Sequence, residues 1–257
     1  ATMAYTNAKV RENYSRRFRI RFPNEELPAA RPLRTVPAHD ALKAANAVFG
    51  VSYGLEYPLW YAPKGQKPEE TITYRRSNAF PAVASECKAV RERVGLMEIS
   101  TYGRYEATGR DAAKFLERVL TNRMPAPGRM ALAPMLNAQG RLIGDFTVAR
   151  LAPERFFVVG SGIAEEYHLR WWENQRGAMD ATLRPMTKAL AGFTVAGPRS
   201  RALLQRLTRA DLSNAAFPFL SVRETTLGLA PCLVARVSFT GELGYEIWCA
   251  PDMQRTL

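Results

Sequence analysis

The stretch MALAPMLNAQGRLIGDFTVARL, Met130 to Leu151, decides how the rest of the chain is read. Two apolar runs flank NAQGR, whose asparagine and glycine are turn formers, so the segment is expected to fold as two strands around a turn. A third run, RFFVVGSG from Arg155, follows after a short break and extends the pair into an antiparallel meander. On the N-terminal side LMEISTYGRYEATG reads as strands, and GRDAAKFLERVLTNR reads as an amphipathic helix with Ala113, Phe115, Leu116, Val119 and Leu120 on its apolar side.

The alternation continues in both directions. A helix is expected over ASECKAVRERVG and another over AEEYHLRWWENQ; ATLRPMT and LAGFTVAGP read as strands, RSRALLQRLT as a helix, and TTLGL and PCLVARVSF as strands. Helices and hairpins interleaved in this way predict an α+β fold with mixed or antiparallel sheets. Residues 1 to about 45 differ, being arginine-rich and punctuated by proline, with one short helix over HDALKAANAVFG that ends in glycine. Such a segment is expected to serve as a connector.

Charge and cysteine usage narrow the function classes. Lys plus Arg number 36 against 24 for Asp plus Glu, a net charge of +12 with a sequence pI near 10.0, which suits polyanionic partners. The positive residues are spread among segments such as VRENYSRRFRIRF and YRRSN and match no nucleic-acid signature, so a small polyanionic ligand is favoured over nucleic acid. Cys87, Cys232 and Cys249 lack CxxC spacing, and His39 and His168 are the only histidines, so neither a metal site nor a Ser-His-Asp triad is expected. No run of about 18 apolar residues occurs and the start does not resemble a signal peptide, which points away from the membrane and to a reducing compartment. GRLIGDFTV contains neither GxGxxG nor GxxxxGK[ST], which removes the nucleotide-loop reading. GSGIAEEYH is expected to turn from strand to helix, with Ser161 as the cap.

Near the end, SFTGELGYEIW, Ser238 to Trp248, suggests a hairpin turn between two strands. Period-2 alternation then puts Glu246 and Trp248 on one face and Tyr245 and Ile247 on the other. Glu246 is either an ordinary solvent-facing glutamate or a fixed carboxylate beside an aromatic surface, able to take a flat ligand that presents paired N–H donors.

Several segments together, APMLNAQGRLIGDFTVARL, FFVVGSGIAEEYHLRW, VAGPRSRALL, SNAAFPF and SFTGELGYEIW, resemble in collinear order the aminomethyltransferase (glycine-cleavage T-protein) folate-binding family. The likeness is greatest to its version fused behind the flavin domain of sarcosine and dimethylglycine dehydrogenases. YTNAKVRENYSRRFRIRFPNEELPAARPLRT resembles the segment that joins the two parts in those enzymes. The resemblance implies a connector over 1–50 and a folate-binding domain over 51–257, with the family's later folate-contacting arginine and C-terminal barrel-like domain outside this stretch. It implies tetrahydrofolate as cofactor, FAD only in an upstream domain, a small N-methyl amine or iminium as substrate, and a cytoplasmic or, in a eukaryote, mitochondrial matrix location.

Carried over by motif, Asp145 takes the place of the family's catalytic aspartate and Glu246 that of its pterin-binding glutamate. Thr147, Gly160, Tyr102, Leu132 and Phe239 are implied to line the pocket. Gly144 stands where the family usually has a first acid, and Phe239 where many members carry tyrosine, so any hydroxyl contribution there is missing. The function implied is capture of the carbon released by oxidative N-demethylation as 5,10-methylenetetrahydrofolate; the alternative is a non-catalytic folate-binding or assembly module of the same fold.

Overall fold

A computed structural model describes residues 2–257, in two compact units, one ending at Ala89 and the other running Val90–Leu257. In the first unit α1 (Met3–Ser15) begins at Thr2, whose hydroxyl accepts from the Tyr5 amide. The helix α2 (His39–Ala44) and the antiparallel pair β1 (Ala47–Ser52) and β2 (Leu55–Tyr61) follow. The predicted helix over HDALKAANAVFG therefore stops early, and AVFG is strand. Asn46, in the left-handed region at φ 68°, ends it, and its side-chain amide binds the carbonyls of Ala62 and Gln66. Within the same unit the guanidinium of Arg31 grips the buried carboxylate of Glu56 at 2.8 and 2.6 Å, which fixes the proline-rich segment onto the hairpin.

The helix α3 (Ala79–Glu92) carries the chain into the second unit, which contains β3 (Gly95–Glu98), β4 (Gly103–Thr108), α4 (Ala112–Val119), β5 (Met130–Leu136), β6 (Leu142–Ala152), β7 (Arg155–Gly160), α5 (Glu165–Arg176), β8 (Thr182–Pro185), β9 (Ala191–Ala196), α6 (Ser200–Gln205), β10 (Val222–Leu227), β11 (Ala230–Ala235) and β12 (Gly244–Cys249). They form two five-stranded antiparallel sheets, ordered β5-β6-β7-β4-β8 and β10-β11-β12-β9-β3. The α+β class with antiparallel sheets is as the sequence predicts.

Alternation along each strand builds three apolar layers. Phe146, Phe156 and Val158 on the outer face of the first sheet pack with Phe115 and Leu116 of α4 and Trp172 of α5. On the outer face of the second, Val195, Tyr245 and Ile247 pack with Leu204 of α6 and with Phe217. Between the sheets lie Ile99, Met130, Phe157, Val159, Val222 and Trp248. Backbone bonds from Met130 to Leu220 and from Val222 to Gly128 join the two sheets at one corner.

Two local expectations differ. Strand β11 ends at Ala235 and β12 starts at Gly244, so SFTGELG is a longer loop, closed by the Ser238 hydroxyl donating to the Glu242 carbonyl at 2.5 Å. Arg236 leaves the hairpin because its backbone pairs instead with Leu220 and Ser221. Ser161 precedes a single 3-10 turn, and its side chain makes no capping bond.

Candidate active site

Strand β12 carries Glu246. Its neighbours Tyr245 and Ile247 are fully buried against α6, so Glu246 and Trp248 face the gap between the sheets, as alternation requires. Across that face Glu246 is flanked by Ala235 on β11 and Thr194 on β9, and Thr194 in turn by Met97 on β3. Trp248 is flanked by Leu233 and Gly192. A β-carbon at Gly192 would come within 2.3 Å of the indole Cε3, so only glycine lets the indole lie flat across the neighbouring strand.

The opposing sheet offers Asp145 and Thr147, successive residues of β6 on the gap side of the strand, since Phe146 and Val148 between and beyond them belong to the helix side. Leu132 on β5 is the register partner of Thr147, with 62% of its surface exposed. Asp145 is exposed. Tyr102, just before β4, packs partly buried against the apolar layer between the sheets.

Charge ties these residues together. Burial raises the pKa of the Tyr102 phenol, and the negative charges of Glu246 and Asp145 raise it further, so one hydroxyl lies within electrostatic reach of both carboxylates. Burial pushes the Glu246 carboxyl up to about 7, and the indole N–H of Trp248 opposes the shift. No hydrogen bond of normal geometry joins the two, for Trp248 Nε1 is buried without a partner, as is Oγ1 of Thr194. Two orphaned polar atoms beside a half-desolvated carboxylate form an edge of hydrogen-bonding groups that fits a planar polar ring.

The two other expected pocket residues turn no buried side chain into the gap. Gly160 directs its missing side chain away from the gap, where a β-carbon would meet the Phe146 ring at 2.6 Å. Phe239 stands on the loop before β12 with 92% of its surface exposed. Beneath β6, His168 of α5 is buried, with Nε2 3.2 Å from the Ile143 carbonyl and Nδ1 3.4 Å from the Tyr105 hydroxyl; burial lowers its pKa, while the Ile143 carbonyl and Asp145 pull the other way. A neutral ring with its proton on Nε2 satisfies both contacts.

Three residues of the site escaped sequence reading. His168 read only as a helix position. Arg104, buried with its guanidinium 5.2 Å from the Trp248 ring, donates to the carbonyls of Thr187 and Leu190, and burial lowers its pKa to about 10. Thr194 was hidden in LAGFTVAGP, where it is the single hydroxyl in an apolar run; that isolation was the available signal.

Comparison with known proteins gives the family and the fold. Residues 38–257 match the GCVT N-terminal domain and residues 1–35 the FAD dependent oxidoreductase central domain. The chain belongs to the GCVT domain family. Among relatives of this GCVT chain, mitochondrial dimethylglycine dehydrogenase of Mus musculus is 34% identical over the whole chain, which covers 30% of that protein. The formaldehyde-forming 4-methylaminobutanoate oxidase of Paenarthrobacter nicotinovorans is 32% identical over 97% of the chain and 30% of its own length. The chain thus spans under a third of the curated relatives it matches. The aminomethyltransferase T of the Bartonella henselae glycine cleavage system shares the fold, with a TM-score of 0.71 over 87% of this chain and 55% of that one, at 22% identity. Among the described residues no helix is long and apolar enough to cross a membrane, and no group of three His, Cys, Asp or Glu side chains could hold a metal ion.

Proposed function

We propose that this aminomethyltransferase-like domain binds tetrahydrofolate and transfers to it the one-carbon unit released by oxidative N-demethylation, forming 5,10-methylenetetrahydrofolate. The observation that carries the reading is that Asp145 on β6 and Glu246 on β12 face one gap from opposite sheets, with Tyr102 packed in the layer between them. Glu246 accepts two parallel N–H bonds from the 2-amino group and N3 of the pterin, which its ionised form does and its protonated form does not. Thr147 and Leu132 extend the opposite wall, and the backbone of Gly160 and the ring of Phe239 border it.

Tetrahydrofolate supplies two amine nitrogens that take up a methylene unit, and the two protons they give up leave on the departing amine. Asp145 stands beside that exchange with its carboxylate exposed, offering negative charge to a cationic iminium and a relay for the protons. Phe239, without a hydroxyl, contributes ring packing alone. Residues 1–35 support a parent protein in which an FAD domain precedes this one and oxidises a small N-methyl amine to the iminium. Domain limits of 1–50 for the connector and 51–257 for the folate domain, and a cytoplasmic or matrix location, go with that reading.

Calorimetric titration with tetrahydrofolate tests binding: heat is expected from the wild type and none from Glu246→Ala, and a silent wild type sinks the proposal. Trapping of formaldehyde-level carbon then tests transfer. Equal rates for wild type and Asp145→Ala would leave a non-catalytic folate-binding module.

A further inference from the structure

Thr194 is 6% exposed, and its hydroxyl has no hydrogen-bond partner. A buried hydroxyl satisfies itself easily in a strand by turning to a nearby carbonyl, so an orphan is uncommon and calls for a ligand or solvent partner. Its position says which ligand atoms it could meet. Thr194 is the register partner of Glu246, and directly opposed side chains on one face of an antiparallel pair stand about 4.5–5.5 Å apart at Cβ. On the other flank of Glu246 stands Ala235, which offers no polar atom. Trp248 lies two residues along β12, and its indole N–H is likewise buried without a partner. Thr194 is therefore the one hydroxyl abreast of the carboxylate, and the polar edge is lopsided: two acceptors from Glu246, then a donor toward β9.

We infer that Thr194 is a specificity-determining residue whose hydroxyl donates to the 4-oxo group of the ring held by Glu246, fixing the ring with its oxo edge toward β9 and rejecting 4-amino rings. This rests on the folate reading above. The complementarity is chemical. A ring edge that presents 2-amino, N3–H and 4-oxo reads donor, donor, acceptor, which matches acceptor, acceptor, donor from Glu246 and Thr194. The oxo oxygen is exocyclic and reaches as far toward the strand as the 2-amino group; N1, on the other flank, is set back within the ring and faces Ala235. Replacing the oxo by an amino group puts a donor against a donor and removes the proton from N3, leaving buried polar groups unpaired.

The test compares tetrahydrofolate with its 2,4-diamino counterpart by calorimetry on the whole chain. Wild type is expected to prefer the 4-oxo ring. Thr194→Val, nearly the same shape, should weaken tetrahydrofolate roughly three- to tenfold without weakening the diamino compound, and Thr194→Ser should hold the wild-type ratio. A ratio unchanged in Thr194→Val overturns the inference, and so does a wild type that binds the two rings equally, which requires no variant to fold. If tetrahydrofolate binds and Glu246→Gln abolishes binding while the valine ratio is unchanged, the folate reading stands and the role of Thr194 falls. If the wild type binds neither ring, both fall together.

Discussion

Gly144 and His168 share one small space: a β-carbon on Gly144 would lie 2.8 Å from His168 Nε2, and at the same distance from Cε2 of Phe146. The residue before Asp145 is thus glycine because the helix beneath the strand fills the room a side chain would need. Gly144→Ala is expected to cost about 1–3 kcal/mol, the usual range for overpacking a filled interior, and Gly144→Asp more, since its charge would be buried as well. Urea denaturation of the two variants beside wild type measures this. An unchanged midpoint would show that His168 can move aside freely.

Glu246 makes stability depend on pH in the direction opposite to an ion-paired carboxylate. Its folded pKa, about 7, lies above the ordinary 4.5, so between those values the folded protein holds more protons than the unfolded chain, and stability falls as pH rises through the window. The whole effect is on the order of 3 kcal/mol. Below the window Glu246→Gln should match wild type, and above it the variant should be the more stable. Thermal melts at pH 4.5 and pH 8 check this, with equal wild-type and variant shifts as the contrary result.

Ligand binding should show the same proton. Acceptance of two N–H bonds needs the ionised carboxylate, so tetrahydrofolate is expected to bind more weakly as pH drops below about 7 and to release protons when it binds near that pH. Titrations in two buffers of different ionisation enthalpy count the protons released. None released at pH 6.5 would mean that Glu246 stays neutral in the complex.

Gly192 offers a separate handle on the tryptophan. Gly192→Ala sets a methyl against the indole of Trp248 and should displace the ring, which faces the same gap as Glu246. Loss of tetrahydrofolate affinity with a fold intact by circular dichroism is expected. Affinity within twofold of wild type would separate the indole from the binding surface.

Much of the fold was legible because its signals are local. Alternation in GYEIW put Glu246 and Trp248 on one face, and the meander from Met130 to Gly160 showed in its turn residues and apolar runs. Pairing between distant strands was not legible. That β9 lies between β12 and β3, which sets Thr194 beside Glu246, depends on pairings 246 − 194 = 52 and 194 − 97 = 97 residues apart in sequence and on no periodicity within any of the strands. The same holds for Arg104 beneath Trp248: a buried arginine reads in the sequence like an exposed one, and only the packing of two sheets removes it from water. The α1 helix was missed for a different reason: it buries no side chain, so no apolar stripe marks it, and the Thr2 cap is its one local signal.

Phe239 has a different kind of freedom from the buried residues near the site. Glycines 144 and 192 are held by what surrounds them, and Trp248 and Thr194 are walled in, so selection on those positions always acts on folding as well. A ring that touches almost nothing in the free protein owes the fold nothing. Its identity can change while the sandwich stays intact, which makes position 239 the natural place for proteins on this scaffold to diverge.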